Sequence, residues 1–371
     1  MRAAGQRRRR LSLVLVAVAT VLAFLAIFAV WADQQLLDND DWADTSSALL
    51  ENDAIRGQVA GFLVDELYAN VDVEGEISEA LPPGAAAVAG PASGAISELA
   101  DRGANRLLGR PRVQARWEEA NRRAHAAFIK VIDGGGDVVS TGEGDVVLDL
   151  KELLAETQGR LGVGGRAAEE LPADAAQITV LRSDQLALAQ DIVRLIESLV
   201  ALLVLLTVSF FALAVGLARG RRREALRACG AGLVVAGTGA LIARSLAGDL
   251  VVDDVATTAA VHPAAEATWT IATSLLEEVA AATIGYGIVV LASAWLGGPS
   301  ATAVATRRAL APYLREPRLA YGGLGVLVLL ALASAPAPAT RRVVPTLVMV
   351  GLLAVGFELL RRQTAREHRR V

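Results

Sequence analysis

A run of 21 predominantly apolar residues, Leu11 to Trp31, follows directly on Arg7, Arg8, Arg9 and Arg10. About 20 apolar residues cross the hydrocarbon core of a bilayer, so a chain with this opening is built around a membrane. A secretory signal also starts with basic residues, and Val30-Trp31-Ala32 loosely resembles a cleavage site. Signal h-regions, however, run to about 7–15 residues, and this stretch is long enough to remain as an anchor. Further apolar runs at 196–218, 226–247, 277–297 and 343–360, with a shorter one at 319–335, predict six transmembrane helices in all.

The charges are segregated, as the mixture of 53% hydrophobic and 20% charged residues requires. Between Asp33 and Val193 there are 29 Asp and Glu against 13 Lys and Arg, whereas the rest of the chain carries 11 acids and 23 bases. Of those 23 bases, 19 fall before Leu11, between Arg219 and Arg227, between Arg307 and Arg318, or after Leu360. These segments alternate with the spans, and short loops rich in Lys and Arg stay inside. The pattern predicts cytoplasmic termini (1–10 and 361–371) and an acidic extracytoplasmic domain at 32–193. A five-helix membrane domain at 194–360 follows, and its 248–276 loop and 336–342 turn lie outside. Arg341 and Arg342 are the exception.

Within the external region, Asn52 or Asp53 fits an N-cap, and Ile55, Val59, Phe62, Leu63 and Leu67 recur at helical spacing. Leu81-Pro82-Pro83-Gly84 breaks the chain, and an Ala-rich stretch follows to about Leu108. A second amphipathic helix begins after Pro111 with Val113, Trp117, Ala120, Ala124, Phe128 and Val131 on one face. Gly134-Gly135-Gly136 ends it. Val138-Val139 and Val146-Val147-Leu148 then read as a hairpin around Thr141-Gly142-Glu143-Gly144. Leu150, Leu153, Leu154 and Leu161 suggest a short helix, and Gln177–Leu181 a third strand. From Ser183, helical spacing runs through Leu186, Ile192 and Leu195 into the second span. The fold class expected is therefore a mainly α membrane protein: six transmembrane helices plus a mostly helical α+β external domain with a small β-sheet. Cys229 is the only cysteine, so packing rather than an intrachain disulfide must hold that domain together.

Two groups of residues are candidates for chemistry. Trp117, Asn121 and His125 stand at i, i+4 and i+8, above one another on one helix face. They form either a ligand pocket with His125 as a titratable contact or a packed Trp whose Asn and His satisfy nearby backbone or carboxylate groups. In the third span, Gly232, Ala236 and Ala240 lead at four-residue spacing to Arg244, and the fourth span opens with Glu277 and Glu278. Small residues bring helices close, so Arg244 and a glutamate can meet near the outer edge, as a structural ion pair or as part of a transport path. No metal site is implied: the other histidines are His262 and His368, in the outer loop and the tail, too far dispersed for a tetrahedral set. The acids Asp249, Asp253 and Asp254 lack the EF-hand pattern. Gly142-x-Gly144 lacks the strand-to-helix context of a dinucleotide loop. Basic residues lining the inner face serve orientation and anionic-lipid contact, so nucleic acid is not an expected partner, and no cofactor is implied. Ser300 caps a predicted short helix to about Ala311 on the inner leaflet, and Glu358 pairs with Arg361 and Arg362 by spacing.

The segments AWLGGPSATAVATRRALAPYLREP (Ala294 to Pro317) and LLRRQTAREH (Leu359 to His368), with weaker support from RWEEANRRAH ending at His125, resemble a family of uncharacterised actinobacterial integral membrane proteins. The resemblance covers nearly the whole length. The tail departs after Glu367, where an aromatic-proline ending is more typical. What the resemblance implies is architecture: an anchor helix, an external domain and a five-helix membrane part, with no activity and no catalytic residues.

Taken together, the pattern predicts a multi-pass, non-enzymatic protein of the cell membrane, whose partners are the lipid bilayer and, at the external domain, an envelope protein or small ligand. The alternative is a transporter or channel subunit using Arg244, Glu277 and Glu278. Against it, the spans lack a central charge and an obvious inverted repeat. An intramembrane enzyme comes third, since only Ser209 and Ser293, with no intramembrane histidine, offer a nucleophile.

Overall fold

A computed structural model describes residues 2–70, 89–132, 139–142, 145–149, 177–181, 183–218 and 220–306. Nine helices longer than ten residues lie among the described residues: α1 (Arg2–Leu37), α2 (Asn39–Glu51), α3 (Asp53–Asn70), α4 (Ala89–Leu108), α5 (Pro111–Ile132), α6 (Ser183–Leu217), α7 (Arg222–Val255), α8 (His262–Ala272) and α9 (Ser274–Leu296). Four stretches are long and apolar enough to cross a membrane: Gln6–Leu37, Gln190–Leu217, Arg222–Val255 and Ser274–Leu296. The chain is therefore compatible with a membrane protein by length and composition.

Two expectations are corrected. The count of six spans is not supported: the described residues hold four, and the runs at 319–335 and 343–360 lie outside them, as do the tail and its Glu358 pairing. The α+β class of the external domain does not hold either. Short stretches β1 (Val139–Gly142), β2 (Asp145–Asp149) and β3 (Gln177–Leu181) pair antiparallel in that order, but they are the minor part of a described structure made of nine helices of 11 to 36 residues. Strands of four and five residues do not make an α+β class beside helices of that length, so the Val-rich patterning overstated their share of the fold; the described structure is overwhelmingly helical. The break at 81–84, the glycines at 134–136 and the helix expected near 150–161 lie outside the described residues.

The chain divides into two compact units. The first takes in Met1–Trp31, Leu199–Ala247 and Thr273–Val371. Its core is built from small residues: Ala23, Ala236, Ala240 and Ala280 are buried with Ile27 and Leu276, and a second cluster joins Val16, Ala214 and Cys229. Without a hydrophobic driving force between helices in lipid, close backbone approach supplies the packing energy. Gly230 on α7 and Gly287 on α9 meet so closely that a Cβ on either would lie under 3 Å from the other's carbonyl oxygen. A Cβ on Gly237 would meet Ala280 and Ile284 in the same way, and one on Gly232 would run into Thr20. The predicted stripe of Gly232, Ala236 and Ala240 thus faces α1 as well as α9. Ser12 adds a polar tie, its Oγ donating to Ala214 O at 3.0 Å. Large apolar side chains point the other way: Val21, Leu205, Val208, Val235 and Leu246 are all exposed, an outer surface suited to lipid. Between α6 and α7 the chain turns at Gly220, whose φ of 85° is one that only glycine adopts without strain.

The second unit comprises Ala32–Ser198 and Gly248–Ala272, so the 248–272 segment groups with the acidic 32–198 region. Asp38 caps α2, its Oδ1 accepting from Asp40 N at 2.9 Å and Asp41 N at 3.1 Å. Asn52 caps α3 through Ala54 N and Ile55 N. Helix α2 packs on α5, and α3 on α4. The buried positions of α3 are Ala60 and Val64, whereas Phe62 and Leu63, expected to face inward, are exposed. Arg56 ties three helices together: it bonds Asn105 Oδ1 on α4 (3.1 Å) and Glu51 O at the end of α2 (3.0 Å), and pairs with Asp53 on its own helix.

Candidate functional site

Helix α5 carries Trp117, Asn121 and His125 on adjacent turns, and the structure places all three along α2. Trp117 Nε1 donates to Ser46 O at 3.1 Å. Asn121 Nδ2 donates to Trp117 O, 2.9 Å away on its own helix. His125 is the buried member, 6% exposed. Its Nε2 lies 3.1 Å from Leu36 O and so donates to it, while Nδ1 lies 2.7 Å from Asn39 Oδ1. Its ring stacks on Trp42, with centroids 4.8 Å apart and planes 14° from parallel. The imidazole therefore fastens the end of α1, the first turn of α2 and α5 to one another in a hydrogen-bonded seam, while Trp117, more exposed, adds one bond to α2 and Asn121 bonds within α5.

Beside that seam runs a groove of about 510 Å³, within the usual range of about 300–1,000 Å³ for small-molecule pockets. Leu36 and Leu37 of α1, Trp42 of α2, and Ile192, Val193 and Ile196 of α6 form one side. Helix α5 supplies Ala124, Phe128 and Ile132 together with Asn121 and His125. Among the described residues, nine of the eleven that line it are apolar and none carries a fixed charge. The apolar face expected on α5 is not its buried face: Trp117, Ala120, Ala124 and Phe128 are exposed, whereas the buried positions are His125 and Ile132, and Ala124 and Phe128 line the groove.

Charged residues gather on the far flank of the same helix pair. Arg122 reaches Glu118 at 2.8 Å, Asp40 of α2 at 3.2 Å and Glu119 at 3.5 Å, and Arg123 reaches Glu119 at 2.6 Å. The hydrogen bond to Glu118, opposed by some desolvation, holds the Arg122 guanidinium above its ordinary pKa.

In the membrane unit, Arg244 is largely covered. Its Nε donates to Thr273 Oγ1 at 2.8 Å, and its Nη1 lies 3.3 Å from Glu277 Oε2. Glu277 is more than half exposed. Thr273 is a partner that the sequence reading did not foresee. Among the described residues, no three or more His, Cys, Asp and Glu side chains converge as a metal site would require. Near the end of the described chain, Ser300 Oγ accepts from Ala303 N at 3.3 Å, capping the helical turn at 301–306.

Compared with family models, curated proteins and solved structures, the chain has no match.

Proposed function

We propose that this is a multi-pass, non-enzymatic cell-membrane protein whose region 32–193 stands outside the cell and binds a ligand or envelope partner in the groove between α1, α2, α5 and α6. The observation that carries the reading is the groove itself. It is apolar, open to solvent and bordered by a rigid hydrogen-bonded seam, and exposed apolar patches of this kind mark interaction sites. The segregation of 29 acids against 13 bases into this region supports its placement outside, with both termini cytoplasmic. His125 serves as a positioning residue here. With both ring nitrogens committed, it sets the spacing of α1, α2 and α5 rather than offering a free base.

A photoreactive benzoylphenylalanine in place of Phe128, in the full chain in living cells, tests the reading. An ultraviolet-dependent adduct at 128, absent when the same group replaces the exposed Arg116, is the expected result. Equal or no labelling at the two positions contradicts it.

A further inference from the structure

We infer that the occupant of this groove is the acyl chain of a membrane lipid from the outer leaflet; the inference rests on the external placement proposed above. Three observations select hydrocarbon over a polar or charged ligand. First, the lining offers almost nothing to hydrogen-bond. Both nitrogens of His125 are occupied by Leu36 O and Asn39, and the amide nitrogen of Asn121 is spent on Trp117 O. A pocket that orients a polar ligand keeps convergent polar groups free for it.

Second, two of its walls are the ends of helices apolar enough to cross the membrane. Leu36 and Leu37 close the Gln6–Leu37 stretch, and Ile192, Val193 and Ile196 open the Gln190–Leu217 stretch. Two groove walls thus belong to the same helices as two candidate spans, within a few residues of the ends of those stretches, so an acyl chain lying along either helix has a continuous apolar path to the groove.

Third, the apolar surface continues along α6 without interruption. Leu188, Ile192, Leu195, Leu199 and Leu202 recur every three or four residues and are all exposed, which puts them on one helix face. The lipid-facing stripe of the second span thus extends past the span into the groove wall. The absence of a fixed charge in the lining, beside a strongly acidic domain, fits a neutral hydrocarbon and disfavours an anionic headgroup. The facing surface of α5 is exceptional for that helix. Arg112, Arg116, Arg122 and Arg123 together with Glu118 and Glu119 bar it from the bilayer core, yet Ala124 and Phe128 are exposed on the groove side.

The test uses the full-length protein reconstituted into phosphatidylcholine–phosphatidylglycerol vesicles containing a phosphatidylcholine with a mid-chain diazirine. After photolysis, labelled peptides are mapped by mass spectrometry. Bulk lipid labels the spans in any case, so the diagnostic signal is on α5. The expected result is labelling within Ala124–Ile132 and not at Val113–Ala120 of the same helix. Ala124→Phe, which fills the groove, should reduce the α5 label to the level of unirradiated samples while the labelling of 11–31 and 199–217 is unchanged; that unchanged pattern also reports an intact fold.

Labelling confined to the spans, or spread along all of α5, or insensitive to Ala124→Phe, overturns the inference. If lipid label is absent from α5 while benzoylphenylalanine at 128 still captures another molecule in cells, the external binding reading survives and the lipid assignment fails. If both are absent, both fail.

Discussion

The two compact units solve the same problem, joining helices, with opposite chemistry. In the membrane unit, glycine and alanine bring backbones into contact, and Gly230 touches Gly287 with no side chain between them. In the external unit, helices are held by side chains that reach: His125 to Leu36 and Asn39, Trp117 to Ser46, Arg56 to Asn105 and Glu51. Water explains the difference. In water, where the 32–198 unit is proposed to stand, burying a large side chain is rewarded by the hydrophobic effect, and an unmet polar group is costly. Within lipid the tails are as apolar as leucine, so only fit and short-range contact distinguish one partner from another.

The comparison breaks first where fit leaves no room. Gly287→Val should destabilise the detergent-solubilised protein by roughly 3 kcal/mol, the upper part of the overpacking range, because its Cβ meets Gly230 O and Val234. Gly285→Ala, two residues away with nothing within 4 Å, should cost nothing. Thermal unfolding of the two variants side by side checks this, and equal losses would mean that the α7 and α9 backbones do not meet at these glycines.

A polar latch should matter less than a blocked backbone, yet measurably. His125→Leu leaves the ring's two partners unmet and should cost about 1–3 kcal/mol, seen as faster hydrogen exchange in α2 and α5 of the full-length protein and not in α7 or α9. Loss of protection in all helices alike would contradict a seam local to the external unit.

Some of this was legible in the sequence and some was not. The four spans stand out because hydrocarbon thickness imposes a length that composition alone reveals. Trp117, Asn121 and His125 were recognisable as one face, but their partners come from Leu36, Asn39, Trp42 and Ser46, some 70 to 90 residues away in sequence, and no local spacing signals a contact at that range. Helix α2, acidic with a single Trp, gave little apolar periodicity to read. On α3, counting large apolar residues selected Phe62 and Leu63, whereas the helix buries Ala60 and Val64; a small residue such as alanine carries little weight on any hydrophobicity scale. The α+β class was overstated because Val-rich pairs are a local signal that says nothing of how much of the domain is helix, and the six-span count is not supported because only four of the apolar runs lie among the described residues.

A third prediction concerns the polar cluster at Arg244, Thr273 and Glu277. In a double-mutant cycle, Arg244→Leu and Glu277→Leu should show a coupling of about 0.5–1 kcal/mol, modest because Glu277 is half open to solvent, and Arg244→Leu with Glu278→Leu should be additive. Coupling to Glu278 instead would mean that the helix register at Thr273 is wrong. Smallest of all should be the surface pair of Arg122 and Asp40, worth less than about 0.5 kcal/mol and lost in high salt; a coupling that persists in high salt would place this pair in a drier setting than its 82% exposed aspartate indicates.

The division itself depends on which side of the membrane the acidic unit occupies. The most direct measurement is labelling of Ala120→Cys, an exposed position on α5 away from the groove, in a chain whose only native cysteine is removed by Cys229→Ser. In intact cells a membrane-impermeant maleimide should modify it fully without permeabilisation. Modification only after the membrane is opened would put the domain in the cytoplasm and contradict the account.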